Sequence, residues 1–481
     1  MGVRWRLGVS GAVTLAALQS GCATPDSSAI ETAELAAPAQ YRASFPATGP
    51  ELSRPRAEWW RELVSTELDR LQEIALENNK DLQVAIARVA QADASARLAE
   101  AGRSPTLEAF GRRENRGPRL GTGTAQSIDD WHTRNTFQLG ARVNYEADLW
   151  GKFGYAVESA LALARASAHQ RETVALTLTG DVAVTYLEYL SLLDRISIAE
   201  RSLENRRNTL GAVIKRQDKG DGTSLETAQQ RVAVANAEAN LASLAQRRDR
   251  AFNRLALLIG LAPSALTLEA RGLAGVSIPA AHPGVPAELL CRRPDVRRVE
   301  EQIVSAKFDV QSLRANLLPA VSLSGEIGYG SWSLATLTNP ASVFLLAAAS
   351  FAQTLSDAGR KESQIEQARA KHLELVHQYA GTLLTAVREV EDALVGIRLT
   401  EEQHRALVEA RNASKEAYAL SLKYFALGAV DYLTVLDSEQ KLMNGEDASE
   451  SALFDRMRAA VDLFRSLGGG TQVPKGERCP R

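Results

Sequence analysis

Cysteine is scarce in this chain of 481 residues: only Cys22, Cys291 and Cys479 are present. So few thiols exclude a disulfide framework and a cysteine metal cluster. Histidine is almost as sparse, and His132, His169, His282, His372, His377 and His404 are scattered, with no His-Glu-x-x-His pair among them. Neither a Gly-x-Ser-x-Gly elbow nor a phosphate loop occurs, so no catalytic constellation can be assembled. The expectation is a protein that is not an enzyme and carries no cofactor or metal. Charge of one sign is also lacking, since 56 Lys and Arg oppose 58 Asp and Glu for a net −2. With no basic patch, nucleic acid is not an expected partner. No later run is long and apolar enough for a transmembrane helix. That leaves open a passage through an outer membrane as a β-barrel.

Proline is missing where it matters most. None lies between Pro118 and Pro263, and none between Pro340 and Pro474. Proline disrupts helix interiors, so these gaps leave room for very long helices. They are rich in Ala, Leu, Glu, Gln and Arg, which favour helix. The stretch from Gly154 to Lys215 would span roughly 90 Å as one helix, at about 1.5 Å per residue. Val376, Tyr379, Leu383, Val387, Val390, Leu394 and Ile397 recur by threes and fours. Leu433, Leu436, Met443, Phe454, Met457, Val461 and Phe464 form a second such seam, interrupted by Gln440, Asp447 and Glu450. Both read as coiled-coil stripes.

What is present is a duplication. Gly151, Gly220 and Gly260 recur as Gly359, Gly428 and Gly468, all 208 positions later. Asp81 and Pro105 recur as Asp295 and Pro319, 214 positions later. Such constancy of spacing implies two copies of one unit. Each copy reads as helix, hairpin-like region, long helix, turn, long helix. In the hairpin regions, Phe137, Leu139, Ala141, Val143 and Tyr145 alternate with polar residues or glycine, as do Val321, Leu323, Ile327 and Tyr329. Period two with one apolar face is a strand signal, and apolar-out with polar-in is the barrel pattern. Leu107–Arg112 and Val343–Ala352 are weaker partner strands. Four strands cannot close a barrel, for which about eight is the practical minimum, so a barrel here requires oligomerisation.

The N-terminus reads as a leader. Arg4 and Arg6 precede the apolar stretch Leu7–Leu18, which ends at Gln19-Ser20-Gly21-Cys22. That ending resembles a bacterial lipobox, with Cys22 as the lipidated residue. The expected divisions are a signal peptide over 1–21, an extended tether over 22–58, a first repeat over 59–262, a linker over 263–288, a second repeat over 289–470, and a polar tail over 471–481.

Several motifs resemble the TolC-like outer-membrane efflux proteins, in particular the lipoprotein branch serving resistance–nodulation–division pumps. They are Trp59-Trp60, Leu76-Glu77-Asn78-Asn79-Lys80-Asp81-Leu82, Tyr145-Glu146-Ala147-Asp148-Leu149-Trp150-Gly151-Lys152, Leu289-Leu290-Cys291-Arg292-Arg293-Pro294-Asp295-Val296 and Leu467-Gly468-Gly469-Gly470. The resemblance implies a mainly α chain with a β-barrel portion. A homotrimer would complete a twelve-stranded barrel in the outer membrane and a helical coiled-coil tunnel across the periplasm. It implies outer-membrane lipid, a periplasmic adaptor and an inner-membrane pump as partners. The function implied is passive conduction of drugs or other small compounds. A protein-export duct of the same fold, or a coiled-coil adaptor without a barrel, are the alternatives.

In that family the periplasmic end closes like an iris. Leu433 and Asp437 match its constricting apolar and acidic positions, and Glu226 an acidic position of the same end. Phe425 stands where the family often has tyrosine, and Gln440 where some members have a basic residue. The competing readings are a coiled-coil core residue for Leu433 and a solvated helix charge for Asp437. Arg292-Arg293-Pro294-Asp295 reads as a helix start, with Pro294 first and Asp295 at the positive end, rather than an anion site. Trp59-Trp60 reads as packing, Trp150 as a membrane-interface or strand–helix junction residue, and the final glycines as a helix stop.

Overall fold

The computed structural model describes residues 41–42, 58–116, 134–269, 272–277 and 292–469. Cys22, Cys291 and Cys479 lie outside the described residues, as do the leader, most of the tether, much of the linker and the polar tail. All described residues belong to one unit, Ala37–Arg481.

The duplication is present in the helix lengths themselves. Helix α1 (Thr66–Asn78) opens the first half and is followed by α2 (Lys80–Ala101). Strands β1 (Thr106–Arg116) and β2 (Arg134–Ala147) come next, then α3 (Lys152–Asp218) and α4 (Ser224–Leu258). The second half runs α5 (Pro294–Ala315), β3 (Ala320–Ser331), β4 (Val343–Ala352), α6 (Arg360–Ala426) and α7 (Tyr432–Ser466). The paired helices are equal in length: α2 and α5 have 22 residues, α3 and α6 have 67, and α4 and α7 have 35. A 67-residue helix extends about 100 Å at 1.5 Å per residue.

The four strands form one antiparallel sheet in the order β1-β2-β3-β4. Phe137–Ala147 of β2 pairs with Val321–Ser331 of β3, so the two halves are joined through the middle of the sheet. All four expected strands are present, including the two weaker ones. Both long helices begin from this sheet through a glycine and an aspartate. The Asp148 carboxylate accepts from the Phe153 and Gly154 amides, at 3.1 and 2.8 Å. Asp357 accepts from the Arg360 and Lys361 amides, both at 3.2 Å. These bonds satisfy amides that an α-helix start leaves unpaired.

The main apolar core lies where the midpoint of α3 meets α1, the ends of α4 and α7, and the start of α5. Trp59, Leu68, Tyr186, Leu190, Leu255, Val296, Val390 and Phe464 are buried there. Trp59 stacks on Phe464 with centroids 5.3 Å apart and planes at 15°, which is worth about 1 kcal/mol beyond burial. The tryptophan pair is thus core packing, and Tyr41 packs against the same cluster. Trp150 lies at the strand–helix junction, with its indole N–H donating to the Pro319 carbonyl at 2.7 Å. Arg293 is buried, bonded to Asp295 and Glu389 at 2.7 Å each and to the Ser466 carbonyl at 3.1 Å. Its guanidinium is fully engaged in structure and offers nothing to an anion.

The Leu76–Leu82 motif holds the junction of α1 and α2, where Asn79 is extended (ψ 129°) and its side chain caps the Leu82 amide. One expectation changes. The seam assigned from Leu433 is one residue out of register at its start. Tyr432, Val435 and Glu439 are the buried positions there, and Leu433 is 58% exposed.

Candidate functional site

Two turns stand at the far ends of the long helices from the sheet. The first joins α3 to α4 at residues 219–223, the second α6 to α7 at 427–431. Thr223 and Glu226 form a capping box: the Glu226 amide donates to Thr223 Oγ1 at 3.2 Å, and the Thr223 amide to Glu226 Oε2 at 3.4 Å. The Glu226 carboxylate therefore also serves its own helix start. Asp431 caps α7, accepting from the Thr434 hydroxyl at 2.5 Å and from the Thr434 amide at 2.9 Å, and these two bonds hold its carboxyl below the usual range.

Asp437 is exposed and pairs with Lys441 one helical turn on, at 2.7 Å. Leu225, Leu427, Leu433 and Tyr424 are all exposed at this end of the chain.

Phe425 and Gln440 each meet an arginine of α3. The Phe425 ring lies 5.7 Å from Tyr432 and carries the Arg216 guanidinium over its face at 5.4 Å. Gln440 accepts from Arg206 at 2.9 Å. Arg206 is 4% exposed and also donates to the Ala233 carbonyl at 3.1 Å. Tyr432 donates to Gln230 at 2.8 Å, and Gln230 donates to the Arg206 carbonyl at 2.9 Å. Arg195 grips Asp447 with two bonds of 2.6 and 2.8 Å further along. Arg206, Gln230, Tyr432 and Gln440 thus tie α3, α4 and α7 together just above the turns. Burial pushes the Tyr432 hydroxyl up to about 12, so it remains a donor across the physiological range.

Glu439 lies in the same region, 5% exposed, and burial raises its carboxyl despite the nearby Arg206. Arg206, Gln230, Tyr432 and Glu439 were not singled out from sequence. Residues 206, 230 and 432 come together only when three helices pack, and the one local signal was a charged residue on the same face as Tyr432 and Val435.

At the other end, one face of the sheet, made by its odd-numbered residues, carries a set of exposed large apolar side chains. Leu107, Leu139, Val143, Leu323, Ile327, Val343, Leu345 and Phe351 share that face. The even face carries Glu108, Arg112, Gln138, Arg142, Asn144 and Glu326, with Arg142 bonded to Glu326 at 2.5 Å. The outer edges of β1 and β4 have no strand partner among the described residues. Among the described residues no helix is long and apolar enough to cross a membrane. The apolar sheet face is the membrane-compatible surface.

The family comparison agrees with this architecture. The outer membrane efflux protein family matches residues 71–261 and again 285–469, one match for each half. The chain belongs to that family, and its place is the outer membrane. It is 34% identical over 460 residues to the pyoverdine export outer membrane protein OpmQ of Pseudomonas putida, covering 95% of this chain and 96% of that one. It is 30% identical to the outer membrane protein OprJ of Pseudomonas aeruginosa, over 86% of each chain. The solved outer membrane protein VceC of Vibrio cholerae superposes with a TM-score of 0.79 at 25% identity, over 87% of this chain and 100% of the other.

Proposed function

We propose that the protein is the outer-membrane duct of a tripartite efflux system and that three copies build it. The carrying observation is the sheet: four strands with an apolar outer face, an inner face that is largely polar on β1 to β3, and two open edges among the described residues. Pairing β4 of one copy with β1 of the next leaves no edge exposed and gives twelve strands in a trimer. The apolar rows run from Phe137 to Ala147, about 34 Å along the strand, which a tilt near 45° reduces to about 24 Å. That matches the apolar band of a membrane barrel. The long helices of the three copies then continue as a tunnel into the periplasm, anchored in addition by lipid on Cys22.

The turns are its periplasmic gate. Leu433 forms an apolar ring, and Asp437 and Glu226 acidic ones, so passage is limited by both dewetting and charge. An adaptor and an inner-membrane pump engage this end, the pump supplies the energy, and opening swings α7 away from Arg206 of α3. Drugs and other small compounds are the cargo. Support for small-molecule over protein export comes from the relative named for pyoverdine export.

The test is conductance of the purified protein in planar bilayers. Leu433→Ala with Asp437→Ala is expected to raise the closed-state conductance several-fold. An unchanged conductance removes the gate assignment.

A further inference from the structure

The repeat extends from the elements to the contacts between them. A Cβ on Gly102, at the end of α2, would touch the Phe153 ring at 3.6 Å, and in the second half Lys361 donates to the Asn316 carbonyl at 2.7 Å. Residues 102 and 316 differ by 214 positions, and 153 and 361 by 208, so α2 sits on α3 as α5 sits on α6. Helix α5 also packs on α3. Ser305 meets Ser159 at 2.8 Å, Glu301 accepts from Arg165 at 2.9 Å, and Phe308 stacks on Tyr155 with centroids 6.3 Å apart. Towards the turns α7 packs on α3 as well, through Asp447 to Arg195 and Met443 to Ser202. The same two offsets put Gln91, Ala87 and Ala94 of α2 in the positions of that α5 face. They put Gln367, Leu373 and Ser363 of α6 in the positions of the α3 face. All six are exposed, whereas Ser159 and Ser305 are 4% and 2% exposed. Nearer the turns the equivalents are Ala239 and Ala235 of α4 and Gln403 and Ala410 of α6, all exposed too.

We propose that α2 and α4 of one copy of this chain dock on α6 of the next copy, as α5 and α7 dock on α3 within the chain. The inference rests on the trimer reading above and names the faces that meet. It continues the strand pairing of that reading. Within the chain β3 follows α5 and pairs with β2, which precedes α3. Between copies β1 follows α2 and would pair with β4, which precedes α6. Space and charge agree with it. Gln367 and Ala370 line an open groove of about 750 Å³ between α5 and α6. Where Arg165 faces Glu301 within the chain, Leu373 faces Ala87 between copies, so both sides lose their charge together. Glu374, beside Leu373, is already paired with Lys371 at 2.8 Å. The two seams therefore do not interchange, because α5 on this face of a neighbour's α6 would set the Glu301 carboxylate against Leu373. A head-to-tail contact repeated at every copy can close into a ring.

The test is disulfide cross-linking of the full-length, detergent-purified protein carrying Cys291→Ser and Cys479→Ser. Ala87→Cys with Leu373→Cys, oxidised with copper phenanthroline, is expected to run mostly as a covalent trimer on a denaturing gel and to return to monomer on reduction. Each single change is expected to stay monomeric. Ala87→Cys with Glu366→Cys, two helical turns off register, is expected to cross-link about ten-fold less. A covalent dimer from Ala87→Cys alone overturns the proposal, since it sets α2 against α2. A charge pair guards against misfolding of the cysteine forms. Ala87→Glu is expected to lower the trimer fraction several-fold, and Ala87→Glu with Leu373→Arg to restore it. Native mass spectrometry of the unaltered protein separates the two readings. A trimer whose cysteine pair stays monomeric and whose charge pair gives no rescue overturns these faces and leaves the duct. A monomer in the unaltered protein overturns the duct itself.

Discussion

Asn79 and Arg293 hold the same place in the two halves and serve the same end of the fold by different chemistry. They lie 214 positions apart, and each donates to the last turn of an equal-length helix: Asn79 to the Leu258 carbonyl at 2.8 Å, Arg293 to the Ser466 carbonyl at 3.1 Å. The following glycines are pressed against the same partner backbones. A Cβ on Gly260 would lie 2.4 Å from the Asn78 carbonyl oxygen, and one on Gly468 would lie 2.6 Å from that of Arg292. A neutral amide suffices in the first half, whereas the second half adds ion pairs from the buried Arg293 to the partly exposed Asp295 and Glu389.

The two positions therefore differ in what their loss costs. Asn79→Ala removes neutral hydrogen bonds and is expected to cost about 1–2 kcal/mol. Arg293→Ala leaves the Asp295 and Glu389 carboxylates without their buried partner and is expected to cost about 3 kcal/mol or more. Thermal unfolding of the two variants checks the order, and equal costs would deny the ion pair a larger role.

Arg206 is the residue on which α3, α4 and α7 converge. Arg206→Met keeps much of the side-chain bulk but breaks the bonds to Gln440 and the Ala233 carbonyl. The expected outcome is a loss of about 1–3 kcal/mol of stability together with a raised basal conductance. Conductance unchanged in a folded variant would show that this network supports the helices without restraining the gate.

The shape of the second seam explains what was legible. Glycine and proline positions set the helix lengths, because each marks a backbone that cannot continue as helix, and the constant offsets exposed the duplication directly. The face of α7 was harder. Spacing by threes and fours fits Leu433 and Leu436 as well as Tyr432, Val435 and Glu439, and a glutamate disguised the buried set. The Asp431 cap decides where the helix starts and hence which set faces α3. Likewise Arg206 reads as a surface charge in a charged helix, and its burial depends on residues more than 200 positions away.

Glu439 makes the same region pH-dependent. Burial holds its carboxyl above the usual range, so its ionisation opposes the packed state. Arg206 of α3 faces it, as do Tyr418 of α6 and Tyr432 of its own helix. Its contribution to stability is full below the ordinary carboxylate range and is lost as pH rises through its elevated value. Glu439→Gln is expected to flatten that dependence, so that the rise in unfolding midpoint on acidification is smaller in the variant than in the unaltered protein. Identical pH profiles in calorimetry would contradict the assignment.

The central claim is a trimeric hollow duct, and electron imaging of the detergent-purified mature protein tests it most directly. The account predicts a three-fold particle with a central channel and a length of roughly 100 Å or more, as the 67-residue helices require. Monomers, or solid rods with no central channel, would contradict it.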